Sequence, residues 1–392
     1  VVRAVWSAVA ALLALAAAPL AAAEPNTLTA EEIADGWILL FDGETLFGWT
    51  PTSKADWKAA DGMISVTSGE PGFLRTTSQF GDFELKVDFR SPAGTNSGVF
   101  LRTSPHPKDP VRDCYELNIA DEGTTPFPTG SFVGRQKAEG KHDSTDWQSV
   151  YVKAEGGHFT VAIDGQQVLD YTDPKPLGRG YISLQLNQGP VQFRNIKLKP
   201  LGLKPLFNGK DLAGWKEFPG KASKFSVTEN GELSVINGNG QLESEAQFAD
   251  FILQIDVKTQ GKHLNSGIFF RSIPGEFWNG YESQIHNGYE GEDRTKPLDF
   301  GTGGFYRRKP ARKVVANDFE WFTKTLVVTG SHMAVWVNGY QVSDWTDSRP
   351  ADSNPRRGLR TEPGTLIIQG HDPTTDLLFR NIKAAELPPR GK

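Results

Sequence analysis

Three short runs in the second half of this 392-residue chain hold side chains able to exchange protons and bind hydroxyls. In Tyr281-Glu282-Ser283-Gln284-Ile285-His286, two-residue alternation puts Glu282, Gln284 and His286 on one face of a strand. Tyr281 and Ile285 go to the other face. Asn265 and Arg271 share parity in the run that joins them, and so do Gln369 and His371. A carboxylate and an imidazole are proton-transfer groups, amides are hydroxyl ligands, and an arginine can stabilise an oxyanion. The first half offers a poorer version: Asn96 with Arg102, Glu116 with Asn118, and Gln185 with Asn187. Ala120 stands where His286 stands, and Asn187 where His371 stands. An arginine behind four or five apolar residues needs a partner, and Glu116 or Glu282 is the natural one. Trp278 has no first-half equivalent and precedes Tyr281-Glu282 in a glycine-rich loop, which suits a sugar platform. A concave sheet lined in this way could hold a polyhydroxylated ligand. The plainer reading is the solvent side of ordinary amphipathic strands.

The elements that must position these residues are repeated. Leu40-Phe41-Asp42-Gly43 with Gly48-Trp49 recurs as Leu206-Phe207-Asn208-Gly209 with Gly214-Trp215. Asn96-Ser97-Gly98 recurs as Asn265-Ser266-Gly267, Tyr115-Glu116 as Tyr281-Glu282, and Thr129-Gly130 as Thr302-Gly303. Trp147 to Asp173 aligns without gaps to Trp321 to Asp347, and Phe-Arg-Asn-Ile-Lys closes both copies. A period near 170–185 residues means duplicated domains, because solenoid repeats run about 20–50. The expected division is 24–200 and 201–392, with the Pro- and Gly-containing run 199–205 between them. Phe83 to Arg90 alternates apolar and polar residues, as does Phe251 to Lys258, which predicts half-buried strands. Asp164-Gly165 and Asn338-Gly339 predict hairpins with type I′ turns. Many short strands and no βαβ alternation predict an all-β chain of two sandwiches, with jelly-roll size rather than immunoglobulin size. The tryptophans at 49, 147, 215 and 321 occupy equivalent places and are expected to pack in the cores.

Composition removes other classes. Lys plus Arg total 42 against 47 Asp plus Glu, a net charge of −5, so phosphate-rich nucleic acid is a poor partner. One cysteine, Cys114, excludes an internal disulfide framework. No Gly-x-Ser-x-Gly elbow, His-Glu-x-x-His helix or P-loop is present. The basic run Arg307-Arg308-Lys309 with Arg312-Lys313 reads as a solvated loop, and Asp42-Gly43 as a turn. Residues 1–23 place Arg3 before an apolar stretch and end in Ala21-Ala22-Ala23, the order of a secretory signal peptide. Cleavage is expected before Glu24, giving an exported protein, periplasmic or extracellular, with no stable membrane insertion.

The ordered set of motifs resembles the 3-keto-disaccharide hydrolase domain family, twice over and across nearly the whole mature chain. The resemblance implies a concanavalin-like jelly-roll and activity on glycosides already oxidised at C3. The second copy keeps Tyr281-Glu282-Ser283-Gln284-Ile285, Thr302-Gly303 with Tyr306, and Gln369-Gly370-His371. The first copy departs at Asn118, Val133 and Asn187, which points to binding without turnover there. A C3 ketone acidifies the proton on C2, so one base can start an elimination that expels the C1 oxygen, and water then adds. The resemblance implies Glu282 or His371 as base, Arg271 as enolate stabiliser, and Gln284, Asn265 and Gln369 as sugar ligands. A divalent metal held by Glu282 and His371 is the other way to polarise the ketone, and the sequence leaves metal and arginine open. The alternative function is a non-catalytic, lectin-like sugar binder.

Overall fold

The computed structural model describes residues 24–390 apart from positions 122, 141, 143 and 144. The expected leader, residues 1–23, lies outside the described residues. Apart from a capped turn of helix at Ala30–Ala34, the regular structure is antiparallel β. Thr29 caps that helix, with Glu32 returning the bond to the Thr29 backbone, a capping box. No helix among the described residues is long and apolar enough to cross a membrane.

Strands between Ile38 and Pro200 form an eight-stranded and a five-stranded sheet, and strands between Lys204 and Glu386 form the same pair again. The smaller sheet of the second copy runs in the order Trp215–Glu217, Gly240–Phe248, Gly364–Gly370, Ser266–Ser272, Tyr281–Ile285. Its first-copy equivalent ends in Tyr181–Leu186, Asn96–Thr103 and Tyr115–Ala120. The larger sheets share one strand order as well, so the chain is two tandem jelly-roll sandwiches, as the sequence predicts. Asp164 and Gly165 take φ of 49° and 79°, and Asn338 and Gly339 take 48° and 75°, as type I′ turns require. The repeated motifs have structural work. Trp49 and Trp215 donate their indole N–H to Leu40 O and Leu206 O. In Phe-Arg-Asn-Ile-Lys, Arg194 and Arg380 each stack on the tryptophan at 147 or 321, with 4.0 Å to the ring centroid. Asn195 and Asn381 take φ of 51° in the bulge that follows.

The two larger sheets differ in what covers them. Gln148–Glu155 alternates buried and accessible residues, but its equivalent Phe322–Thr329 is buried almost throughout. The same holds for Phe251–Thr259, whose period-2 sequence predicts a half-buried strand. The reason is the first sandwich, which lies over the second one's outer face. Ile252, Val327, Ala334 and Trp336 join the apolar cluster of the first copy. Trp336 Nε1 donates to Leu39 O at 2.8 Å, Gln254 Nε2 to Gly36 O at 2.8 Å, and Arg312 pairs with Asp42 at 2.8 Å. That packing should make the two sandwiches unfold together. Trp336→Ala, at about 3–5 kcal/mol for a buried tryptophan, should split one calorimetric transition into two; two separate transitions already present in the wild type would contradict this coupling.

Candidate functional site

The smaller sheet of the second copy builds a polar pocket from its last three strands. The Asn-Ser-Gly motif does two mechanical jobs there. Ser266 donates its hydroxyl to Gln369 O at 2.7 Å, which ties the central strand to its neighbour, and Ser97 does the same to Gln185 O. A Cβ at Gly267 would lie 2.8 Å from Glu282 Oε1, so only glycine leaves room for the carboxylate to lie across the sheet. The Thr-Gly motif closes the far edge. Thr302 Oγ1 accepts from His286 N at 2.9 Å, and Gly303, at φ +88°, sits against Val342 where any side chain would clash. The chain then returns along the edge, where Tyr306 N donates to Glu282 O at 3.0 Å.

The pocket has a volume of about 430 Å³ and is lined by Asn265, Trp278, Glu282, Gln284, Tyr306, Arg307, Arg356, Gln369 and His371. Seven of these nine are residues singled out from sequence. Glu282 is buried and its Oε2 accepts from Arg356 Nη2 at 3.1 Å. Burial pushes its pKa up; Arg356 and His371 pull it partly back, and Asp299 adds to the rise. His371 Nδ1 lies 2.8 Å from Asp372 Oδ2, and its ring is parallel to Trp278, at 2° with 6.0 Å between centroids. Asp372 sits below the usual carboxylate range: burial opposes this, but hydrogen bonds from Thr374 and His371 outweigh it. Asn265 and Gln284 donate their amide N–H groups to Asp299. Their oxygens, and that of Gln369, are buried without a partner. His286 lies outside the pocket, next to His263 with 6.0 Å between ring centroids, and burial lowers its pKa.

Arg271 is not part of the pocket. It takes φ of +47°, which breaks the strand alternation and turns the side chain out of parity with Asn265. Its guanidinium is wholly buried and donates to Ala249 O, Gly330 O and Arg360 O, with Asp250 as its ion partner at 3.0 Å. Arg102, at φ +48°, repeats this with Gly81 O, Gly156 O, Leu177 O and Asp82. Neither pairs with Glu116 or Glu282, and both are corrected here from ligand contacts to framework. The basic run also departs from a solvated loop, since Arg307 lines the pocket, Arg308 donates to Arg356 O at 2.7 Å, and Arg312 bridges the sandwiches.

The first copy assembles less. Among the described residues Glu116 has no ion-pair partner; burial raises its pKa to about 7, moderated by a hydrogen bond from Gln185. Asn118 turns its amide N–H to Phe127 O, and Asn96 pairs through its backbone with Gln188. Val133 N donates to Glu116 O as Tyr306 N does to Glu282 O, so Val133 and Gly134 stand where Tyr306 and Arg307 stand. Asn187 is exposed.

Three residues escaped the sequence reading. Arg356 comes from a loop that is ten residues longer than its first-copy equivalent, the stretch from Asp347 to Gly364 against that from Asp173 to Gly180. Asp299 occupies the place of Pro126, three residues before the Thr-Gly motif. Lys324 occupies the place of Val150 in the gapless alignment, on the inner face between Phe322 and Leu326. It is fully buried and donates to Ser283 O and Gln284 O at 3.1 and 3.0 Å; burial lowers its pKa to about 7, against the opposing pull of Glu282. Reading the two copies against each other position by position would have found Asp299 and Lys324, and for Arg356 only the longer loop that carries it. A metal does not fit well: among the described residues no group of three or more His, Cys, Asp or Glu is placed to hold one. Glu282 and His371 alone are a short ligand set, and the Glu282 carboxylate already carries Arg356.

A jelly-roll sandwich with a carboxylate, an imidazole and amides converging in a pocket on its smaller sheet is the architecture of a carbohydrate-active protein. The chain belongs to the 3-keto-alpha-glucoside-1,2-lyase-like domain family, whose model matches residues 36–199 and again 202–385. It is similar to a 3-keto-disaccharide hydrolase from Bacteroides thetaiotaomicron, at 34% identity over 93 residues, covering 21% of this chain and 32% of that protein. The matched stretch is thus about a third of that relative's length. Among solved structures it is similar to one from Parabacteroides distasonis provisionally described as a glycosyl hydrolase, at 22% identity and TM-score 0.41, covering 46% of this chain and 100% of that one. A carbohydrate-binding module from Bacillus subtilis matches at 16% identity and TM-score 0.30, over 39% of this chain and 95% of that one.

Two expectations follow from the site's geometry. Arg271→Met should destabilise the fold by about 3 kcal/mol or more, since three buried carbonyls lose their donor; a variant of unchanged melting temperature but lost activity would return Arg271 to the site. Glu116 titrates in the folded chain at about 7, above the unfolded value of about 4.3. Its contribution to stability is therefore full below pH ~4 and is lost as pH rises through 7. Glu116→Gln should raise the melting temperature relative to wild type by more at pH 8 than at pH 5, as calorimetry at the two pH values would show.

Proposed function

We propose that the second sandwich cleaves glycosides that carry a ketone at C3, by removing the C2 proton, eliminating the C1 oxygen and adding water. The observation that carries this reading is the pocket itself. It joins a buried carboxylate of raised pKa, an imidazole held by an aspartate, a guanidinium and three unpartnered amide oxygens. Most glycosidases need two carboxylates flanking the bond, and only Glu282 lines this pocket. A C3 ketone removes that need.

In this proposal Glu282 is the base, made more basic by burial, with Arg356 on Oε2 and Oε1 left for the C2 proton. Abstraction moves the electron pair onto the C3 oxygen, and Arg356 stabilises the resulting enolate. The pair then returns to form the C1–C2 double bond as the C1–O bond breaks. His371, held in place by Asp372 at 2.8 Å, protonates the departing oxygen. Water adds at C1 with its proton going to His371, and Glu282 returns the proton to C2, so both groups recover their starting states. Asn265, Gln284 and Gln369 bind sugar hydroxyls, and Trp278 and Tyr306 pack on the ring. No step needs a metal. The leader-like residues 1–23 support an exported protein, to be tested by sequencing the N-terminus of the secreted form. Glu116 with Gln185 supports a first copy that binds sugar without turning it over.

Purified protein should cleave a 3-keto disaccharide and leave its unoxidised parent intact. Glu282→Gln and His371→Ala should each lose about 10²–10⁴-fold in kcat, while Glu116→Gln keeps the wild-type rate. Equal loss from Glu116→Gln and Glu282→Gln would contradict a single active copy. The Glu282 base must be ionised, so kcat/KM should fall with acid through a pKa above the ordinary carboxylate value of about 4.3. Arg356→Met should move that acid limb to still higher pH, because Arg356 favours the ionised form; a limb that stays put would remove Arg356 from this role.

A further inference from the structure

We infer that Asp299 is a positioning residue that makes this pocket accept hydrogen bonds at two fixed points, and so selects ligands whose hydroxyls donate there. The inference rests on the sugar-binding role proposed above and adds which groups of the sugar are read. An amide side chain can turn either its oxygen or its nitrogen to a ligand, and the two are interchangeable unless a neighbour decides. Here the neighbour decides. Asp299 Oδ2 lies within hydrogen-bond reach of both Asn265 Nδ2 and Gln284 Nε2, the latter at 2.7 Å. Gln284 Nε2 also reaches Asp299 O at 3.0 Å. The carboxylate oxygen and the backbone carbonyl of Asp299 accept, and both amides give them their N–H groups. Asn265 Oδ1 and Gln284 Oε1 then face the other way, and both are buried acceptors with no partner among the described residues. A buried acceptor left unpaired is costly, and a hydroxyl from a bound ligand removes that cost.

The backbone at this point is arranged for the task. Asp299 and Phe300 take φ of 44° and 67°, two successive left-handed residues that fold the loop back over the sheet edge. Such a conformation is unfavourable for residues with a Cβ and is kept where surrounding contacts hold it. The first copy lacks the device: Pro126 stands at this position, and Asn118 donates its amide to Phe127 O.

Two measurements test the inference. The first is solvent exchange of the side-chain ¹⁵N–¹H₂ groups of Asn265 and Gln284, assigned by substituting each residue. They should exchange slowly in the wild-type protein and become fast in Asp299→Asn, whose amide can also donate and so releases the orientation. Fast exchange in the wild type overturns the inference, whether or not the Asp299 variant folds. The second uses methyl α-glucoside oxidised at C3, with its 4-deoxy-4-fluoro and 6-deoxy-6-fluoro forms, since fluorine cannot donate. At least one fluoro form should bind the wild type about tenfold more weakly than the parent, a ratio that shrinks to about threefold or less in Asp299→Asn and returns in Asp299→Glu. An unchanged ratio in folded Asp299→Asn overturns the inference. Slow exchange lost in Asp299→Asn supports it even if no 3-keto glycoside is cleaved, an outcome that would overturn the catalytic reading alone.

Discussion

Each sandwich depends on one buried guanidinium. Arg102 and Arg271 sit at the end of the strand that carries Asn-Ser-Gly, and each gathers three carbonyls from three separate segments plus one aspartate. An arginine cannot shed its charge in a protein, so its donors must be met wherever it is buried. The loops at that end are therefore pinned to the strand, and the strand's other end is free to carry the ligand-facing groups. The left-handed φ at both arginines, unfavourable for any residue with a Cβ, is the local strain that this arrangement holds in place.

On that common frame the two copies diverge through a few residues of large effect. The longer loop before Gly364 brings Arg356 over Glu282, and Asp299 stands for Pro126. Lys324 stands for Val150 inside the core, below the strand that carries Glu282 and Gln284. A buried ammonium is costly unless something on the far side of the sheet favours its charge, and Glu282 does so. Duplication supplied one scaffold twice, and the polar pocket was assembled on the second.

How much of this was legible follows from the range of each signal. Alternation is local, so the shared face of Glu282 with Gln284 and of Gln369 with His371 could be read directly, as could the hairpins at Asp164-Gly165 and Asn338-Gly339. Alternation failed at Arg271 because one left-handed residue reverses parity, and nothing in the residue type announces it. The burial of Phe251–Thr259 on both faces was hidden for a different reason, since the covering surface lies some 200 residues away in sequence. Arg356 lies in an irregular loop with no period to read. Its only trace was the unequal length of the two copies.

The covered sheet of the second sandwich changes what the duplication means. Detached from its neighbour, that half would expose Ile252, Val327, Ala334 and Trp336 together, and contiguous apolar patches of this kind invite self-association. The outer face of the first sandwich, by contrast, alternates and tolerates water. The halves are thus unequal in dependence: the second needs the first as a cover for its apolar sheet. The first copy's polar-face differences, Asn187 for His371 and Val133 for Tyr306, lie outside the apolar cluster that covers the second copy, so they leave that contact intact.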